Sequence, residues 1–278
     1  MTRRQFIKRT AYSGVVTAAG AAGWGTYELK HLTVEQVELS VRLGPEAPAN
    51  LKLVQLSDFH IDPSFDEEWI EHYVNAANAL QPDVIALTGD FITKSGDALE
   101  RLAVLLSKLK APGGVFACLG NHDQWHLPLS SAVRILRNQG IRPLVNESVS
   151  AELSSGKFWI AGVESVWAGS PDPLRALAKA SRAERAIFLA HEPDIALQLA
   201  ADSPIAVQLS GHTHGGQIAL PPGRAILLPR YGKEFARGLF TEKTNWPVYV
   251  NRGVGALSPR FRIASPPEIT LMHLKNIA

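Results

Sequence analysis

From residue 51 onward, apolar runs alternate with amphipathic stretches. The run 51–56 (Leu-Lys-Leu-Val-Gln-Leu) predicts a strand that stops at Ser57-Asp58. Within 67–80, Trp69, Ile70, Tyr73, Val74, Ala77 and Leu80 recur near helical spacing, which predicts a helix that Pro82 ends. A buried strand is expected at 83–87 and a helix at 99–109, stopped by Pro112-Gly113-Gly114. A strand at 115–119 and a helix at 131–138 follow. This β-α-β-α-β-α order predicts a mainly parallel sheet covered by helices. The later half is richer in strands, expected at 149–153, 158–163, 186–190, 207–210, 217–220, 248–251 and 269–273. Helical interludes are expected at 174–180 and 194–199. No internal repeat or low-complexity tract divides the chain, so 51–278 reads as one domain with two sheets packed face to face. Residues 31–50 read as an approach segment.

Composition refines this picture at the N-terminus. The 278 residues carry 28 basic and 26 acidic side chains, a net of +2. Arg3, Arg4, Lys8 and Arg9 lie in the first 27 residues, which contain no acid. Without these four, 24 basic residues face 26 acidic ones, a net of −2. The positive excess therefore belongs to the N-terminus, and the body shows no basic run of the kind a nucleic-acid partner would favour. Residues 10–27 are uncharged and rich in Ala and Gly, the layout of an export signal, with Ala19-Gly20-Ala21 as a cleavage site. Residues 2–8 (Thr-Arg-Arg-Gln-Phe-Ile-Lys) resemble a twin-arginine (Tat) signal. Residues 1–30 are therefore expected to be a signal or membrane anchor. The Tat translocase would be a partner during export, and the destination the periplasm or the outer face of the cytoplasmic membrane. A single Cys, Cys118, excludes an internal disulfide framework and a Cys-based zinc site.

The candidate chemistry lies where the strands end. Asp58 and His60 follow the first strand, Asp90 the second, and Asn121 and His122 the third. His191 follows the strand at 186–190; His212 and His214 follow 207–210. Carboxyl ends of strands in an α/β sheet converge on one rim, so these oxygen and nitrogen donors would meet in one cleft. They are too many for one ion and suit two. Carboxylate, amide and imidazole without thiolate suit Mn, Fe or Zn. In an extended segment, residues i and i+2 face one side, so Asp58-Phe59-His60 and His212-Thr213-His214 are each expected to present both ends to one centre. Gly89, Gly120 and Gly211 immediately precede Asp90, Asn121 and His212, where a missing Cβ permits close approach.

These blocks, Asp58-x-His60, Gly89-Asp90, Gly120-Asn121-His122-Asp123, His191 and Gly211-His212-x-His214, resemble the calcineurin-like metallophosphoesterases. All five occur in order. The resemblance implies a four-layered α/β/β/α sandwich of two mixed sheets, an α/β fold with α+β character, with a dinuclear metal site at the strand C-terminal rim. It implies that Asp58, His60 and His214 bind one divalent ion, that Asn121, His191 and His212 bind the other, and that Asp90 bridges them. His122 would not ligate; it would sit beside the scissile phosphate as the catalytic imidazole, oriented by Asp123 or another acid. The leader, His191-Glu192-Pro193-Asp194 and the block 211–217 together resemble an exported, membrane-associated branch, some of whose members hydrolyse UDP-2,3-diacylglucosamine.

The implied reaction is hydrolysis of a phosphodiester or pyrophosphate, the attacking hydroxide being provided by two cations that share one water. Arg224, Arg230, Lys233 and Arg237, among apolar residues in 221–240, are candidate contacts for a small-molecule or lipid-linked phosphate substrate at a membrane surface. That segment reads as a loop or short hairpin because Pro221, Pro222 and Pro229 interrupt any helix. Trp125 and His126 would line the leaving-group side; Trp159 and Trp167 read as core or rim packing. Arg252, Arg260 and Arg262 add positive charge without a place in the pattern. Two other readings stand beside the leading one: a non-catalytic metal-binding envelope protein, and a nucleotide or nucleic-acid phosphodiesterase.

Overall fold

The computed structural model describes residues 23–63 and 66–277. The expected signal motif and cleavage site, within residues 1–22, lie outside the described residues. Residues 23–29 are helical (α1). Among the described residues no helix is long and apolar enough to cross a membrane.

The first half delivers the expected alternation. Strand β1 (Thr33–Val41) is followed by β2 (Asn50–Leu56), α2 (Glu67–Ala79), β3 (Val84–Thr88), α3 (Asp97–Leu106), β4 (Val115–Cys118), α4 (Asn121–His126), α5 (Leu129–Asn138) and β5 (Ile141–Pro143). With β14 (Glu268–Asn276) these strands form a six-stranded mixed sheet in the order β1-β14-β2-β3-β4-β5. The β2-β3-β4-β5 part is parallel. A second six-stranded sheet runs β12 (Gly238–Phe240), β13 (Val248–Val250), β9 (Ile205–Ser210), β8 (Ala186–Leu189), β7 (Gly156–Gly162), β6 (Glu147–Leu153). Its central strands are parallel and its two edge pairs antiparallel.

Three apolar layers hold the sheets and helices together. In β3, Ile85 and Leu87 pack under α2, α3 and α5 with Ile70, Val74, Leu99, Leu102 and Leu136. Their neighbours Val84 and Ala86 face the opposite way, against Ile160, Ile187, Val207 and Leu209 of the second sheet. This is period-two alternation in a strand covered on both faces, which is why 83–87 reads as one continuous apolar run. The outer face of the second sheet is covered by α6 (Pro173–Ala176), a 3-10 turn at Pro193–Gln198, and Phe235 and Trp246. The result is the expected α/β/β/α sandwich, with a thin outer layer over the second sheet.

Several local expectations change. The approach segment 31–50 contains β1, which pairs with β14 along its whole length and is the edge of the first sheet. Its intermediate and exposed positions alternate, as suits a strand lying at an edge with water on one face. Helix α4, which the apolar pattern does not predict, starts on Asn121 itself. The 217–220 strand shrinks to a two-residue partner, β10 (Ala219–Leu220), of β11 (Arg224–Ala225) in a separate ribbon. The helical interludes expected at 174–180 and 194–199 shorten to α6 and a 3-10 turn, each opened by a proline at its first position.

Candidate metal centre

The rim where β2, β3, β4, β8 and β9 end brings the donors together. Asp58, His60 and His214 form one group, and Asp90, His191 and His212 another; within each group the donor atoms lie within 4.8 Å of one another. His60, Asp90 and His122 form a third such group between them. His60 Nε2 lies 3.3 Å from Asp90 Oδ2, and His191 Nε2 lies 3.2 Å from the same oxygen. Asp90 thus stands between the two sets. His214 Nε2 is 3.4 Å from Asp58 Oδ1. Asp58, His60, Asp90, Asn121, His191, His212 and His214 are all buried.

The backbone at these donors is strained rather than extended. Asp58 (φ 52°), His60 (φ 47°), Asp90 (φ 52°), His212 (φ 74°) and His214 (φ 52°) all occupy the left-handed region that non-glycine residues rarely adopt. The expected face-sharing in an extended segment is therefore corrected both for Asp58 and His60 and for His212 and His214, whose rings join different donor groups. Two left-handed residues flank Phe59, and they are held by hydrogen bonds from Asp58 N to the Gly89 carbonyl and from His60 N to the Asp90 carbonyl. Such strain persists only where the surroundings fix it and concentrates at functional sites. The glycines act as expected. A methyl on Gly120 would collide with the Asp90 carboxylate, and one on Gly211 with Ser57 Oγ and the Asp58 carboxylate.

Hydrogen bonds fix which ring nitrogen each histidine offers. His191 Nδ1 donates to the Thr88 carbonyl at 2.7 Å, and His212 Nε2 to the Arg230 carbonyl at 2.7 Å. A carbonyl only accepts, so the nitrogens left to bind a cation, once free of a proton, are His191 Nε2 and His212 Nδ1; they lie 3.3 Å apart. His122 Nδ1 donates to the Thr93 carbonyl at 2.9 Å, leaving Nε2 as its second nitrogen. The orienting partner of His122 is thus Thr93. Asp123 instead accepts from Phe91 N, Ile92 N and Gly120 N and locks the turn after β3 to the start of α4.

Burial lowers His60 to about 3 and His212 to about 4, and pushes His214 well below the usual imidazole range. These rings are neutral at physiological pH, the state that can ligate a cation. Burial also raises Asp58 to about 6. At Asp90 burial opposes ionisation, but His191 and His60 outweigh it and hold the carboxyl below the ordinary range. At His191 burial opposes the charge, and Asp90 outweighs it, so the ring is raised.

A direct observation tests whether these residues fit divalent ions. His60 Nδ1 and Nε2, His214 Nε2 and Asn121 Oδ1 are buried without a hydrogen-bond partner. Buried polar atoms are ordinarily satisfied, because leaving one unpaired costs about 1–3 kcal/mol. Such atoms also occur elsewhere, as on Ser148 and Trp246, but these four cluster on the donor groups. Nitrogen and oxygen donors without thiolate complete the fit to two borderline divalent cations.

Residues beyond the donor blocks build the walls. Glu192 accepts from Val166 N at 2.9 Å and from the Ser165 hydroxyl, fixing the loop that carries Trp167. Asp194 accepts from Lys233 N and Glu234 N, fixing the loop after the last donor block. Trp125, Trp167 and Tyr231 form an edge-to-face series, with Trp167 packed on His212 and Trp125 on His122. Trp167 is therefore rim, whereas Trp159 packs against the outer core and donates to Glu184. His126 is exposed beside a hollow it shares with Trp125.

Of the four candidate substrate cations, Arg230 is the one whose backbone touches a donor histidine, and its guanidinium lies 4.6 Å from the Tyr231 ring centroid. Arg224 and Lys233 are exposed. Arg237 donates to the Ala264 and Pro222 carbonyls and so braces the loop. Arg262 was not legible as a site residue. It is fully buried and donates to the carbonyls of Gly255, Ser265, Arg252 and Gly253, and its guanidinium is 3.3 Å from His214 Nδ1.

Residues 51–216 match the family model described as calcineurin-like phosphoesterase. The chain is similar to the uncharacterised metallophosphoesterase YkuE of Bacillus subtilis, 36% identical over 99% of this chain and 98% of that one. It is similar to the UDP-2,3-diacylglucosamine pyrophosphatase LpxG of Chlamydia trachomatis, 31% identical over 80% of this chain and 83% of that one. Among solved structures, TT1561 of Thermus thermophilus shares the fold, with a TM-score of 0.50 at 16% identity, over 73% of this chain and 90% of that one.

Proposed function

Because the chain belongs to the calcineurin-like phosphoesterase family, we propose that it hydrolyses a phosphodiester or pyrophosphate bond at the rim of its two sheets, in a lipid-linked substrate. The observation that carries the reading is the set of unpartnered buried donor atoms on His60, Asn121 and His214, gathered around Asp90 with His122 beside them. Asp58, His60 and His214 would hold one divalent cation, Asn121, His191 and His212 the other, with Asp90 shared. Bound there, the cations would supply an acidified water near neutral pH and offset charge on the phosphate oxygens.

The remaining steps belong to the chain. Hydrolysis forms one bond from water oxygen to phosphorus, breaks the bond to the leaving oxygen, and requires a proton on that oxygen. His122 is the candidate donor. Thr93 fixes its Nδ1 proton, so the charged ring carries a second proton on Nε2, the nitrogen left for substrate. Its ring lies 4.9 Å from that of His60, edge to face, beside the donor cluster. Trp125, Trp167 and Tyr231 flank the donor cluster on one side, and Arg230 stands at the end of that series. The lipid-linked substrate is supported by the name of the chlamydial relative and by these rim residues.

A turnover screen of the Mn²⁺-loaded protein tests this, with UDP-2,3-diacylglucosamine, glycerophosphodiesters and a chromogenic phosphodiester side by side. Cleavage of the first at a higher kcat/KM than the others is expected. A protein that retains two cations and cleaves none would instead be a metal-binding envelope protein. From the leader sequence we further propose that the domain lies outside the cytoplasmic membrane, delivered by the Tat translocase through Arg3-Arg4. Replacing both arginines by Lys should leave the protein in the cytoplasm in a fractionation assay.

A further inference from the structure

An open cavity of about 400 Å³ lies between helix α1 and the part of the domain that carries the Asp58-Phe59-His60 turn. That volume is in the range of organic-ligand sites. Its wall is largely apolar, built by Phe59, Ile61, Trp69, Tyr73, Val254 and Ala256.

The cavity does not come from a loosely placed helix. Glu28 in α1 accepts hydrogen bonds from Ala264 N (3.0 Å) and Ser265 N (2.6 Å), and Arg262 N donates to the Gly25 carbonyl (3.0 Å). Helix α1 is thus fixed at a distance, contributing Thr26 and Leu29 to the wall.

Two cations mark the edge. Lys30 Nζ lies 6.0 Å from the Trp69 ring centroid, and Arg260 reaches the His60 carbonyl and Asp62. The His60 backbone meets this wall, where its carbonyl accepts from Arg260, while its buried ring belongs to the donor cluster. The hollow lined by Leu174, Leu177 and Ile195, by contrast, contains no donor residue.

We propose that this cavity holds the aliphatic chain of an amphiphilic phosphate substrate whose headgroup lies at the donor cluster. The proposal rests on the phosphoesterase reading and adds the part of the molecule that the donors do not contact. Each methylene moved from water onto this wall favours binding; Arg260 is paired with Asp62, and Lys30 is the cation at this edge that suits the anionic side of the headgroup.

The test uses two chromogenic diesters that differ only in chain, tetradecyl p-nitrophenyl phosphate and methyl p-nitrophenyl phosphate, with the full Mn²⁺-loaded chain. The tetradecyl ester should have a KM lower by about tenfold or more. Thr26→Trp, on the exposed side of α1, and Ala256→Phe, on the opposite wall, should each abolish that preference by raising the KM of the long ester alone. Equal KM values in the wild type, or a preference that survives both variants, would overturn the proposal.

A binding measurement separates failure of this idea from failure of the phosphoesterase reading. Tetradecyl phosphate should change the tryptophan fluorescence more than methyl phosphate does, and Trp69→Phe should remove the difference between the two. Binding of this kind with neither ester cleaved would sink the phosphoesterase reading and leave a chain-binding cavity. Binding with no chain effect on KM would mean that the cavity holds a lipid other than the substrate, and would sink the proposal.

Discussion

At the scale of the residue, the left-handed backbone at Asp58, His60, Asp90, His212 and His214 matters most. Each such position costs on the order of 1–3 kcal/mol, and neighbours with no Cβ permit it. Gly120→Ala should therefore displace the Asp90 carboxylate. Bound metal, measured by plasma emission, should fall steeply while the circular dichroism of the folded chain persists. Asp90→Ala should remove metal and activity together. His122→Ala should leave metal bound and reduce turnover by about 10²–10⁴; full turnover in the metal-replete variant would remove His122 from the reaction. Protonation follows from the same geometry. Burial raises Asp58 to about 6, and Asp90 outweighs burial to raise His191. In the metal-free protein Asp58 holds a proton below about pH 6, and His191 holds one further up the pH range; cation binding must displace both. Loading should release protons, and affinity should climb as pH rises through 6 and onward through the raised His191 range. Calorimetry in two buffers of different ionisation enthalpy checks this. The donors themselves were legible because each follows an apolar run. The ring-orienting carbonyls of Thr88, Thr93 and Arg230 were not, since backbone acceptors leave no trace in residue identity.

At the scale of the element, the segment 251–265 has more influence than its irregular shape suggests. Arg262 gathers carbonyls from Gly253, Gly255 and Ser265 onto one guanidinium, and Gly255 N reaches back to the Asp58 carbonyl. Burial lowers this guanidinium to about 10, so it stays charged at neutral pH. Arg262→Met would strand those carbonyls and should cost about 3 kcal/mol or more. Thermal unfolding should show the loss, together with weaker metal retention through His214. Sequence pattern predicted the helices and strands whose apolar positions recur with one period. It missed this segment because its order comes from one buried cation contacting main-chain atoms. Strand β1 was missed for another reason. Its positions alternate between intermediate and exposed, with Thr, Glu, Gln and Ser between the apolar residues. Without β14 beside it, that alternation is too weak to tell an edge strand from a linker. Helix α4 escaped because six residues, led by the donor Asn121, contain too few apolar positions to show a helical period.

At the scale of the whole molecule, the two sheets were anticipated, but the way the chain joins its distant parts was not. Strand β14 lies between β1 and β2, and Thr33 N and Oγ1 both donate to the Pro267 carbonyl, 234 residues away. Arg252 adds a tie across the same region, with Glu35 of β1 at 2.6 Å and Glu268 of β14 at 2.7 Å. Removing residues 23–42 should expose the unpaired edge of β14 and lose the Glu35 contact. Such a truncated chain should unfold at a lower temperature and associate at an open strand edge, which light scattering would detect. The placement of β14 also has a bearing on biosynthesis. While the ribosome is still making the second sheet, β2 has no antiparallel neighbour and β1 has no neighbour at all, so the first sheet cannot be completed as its strands emerge. Closure has to wait until β14 appears, long after Asp58, Asp90 and Asn121 have been translated. The donors of the first half are thus made early and become part of a site late, in a final intramolecular pairing event that chaperones attending the nascent chain would have to leave open.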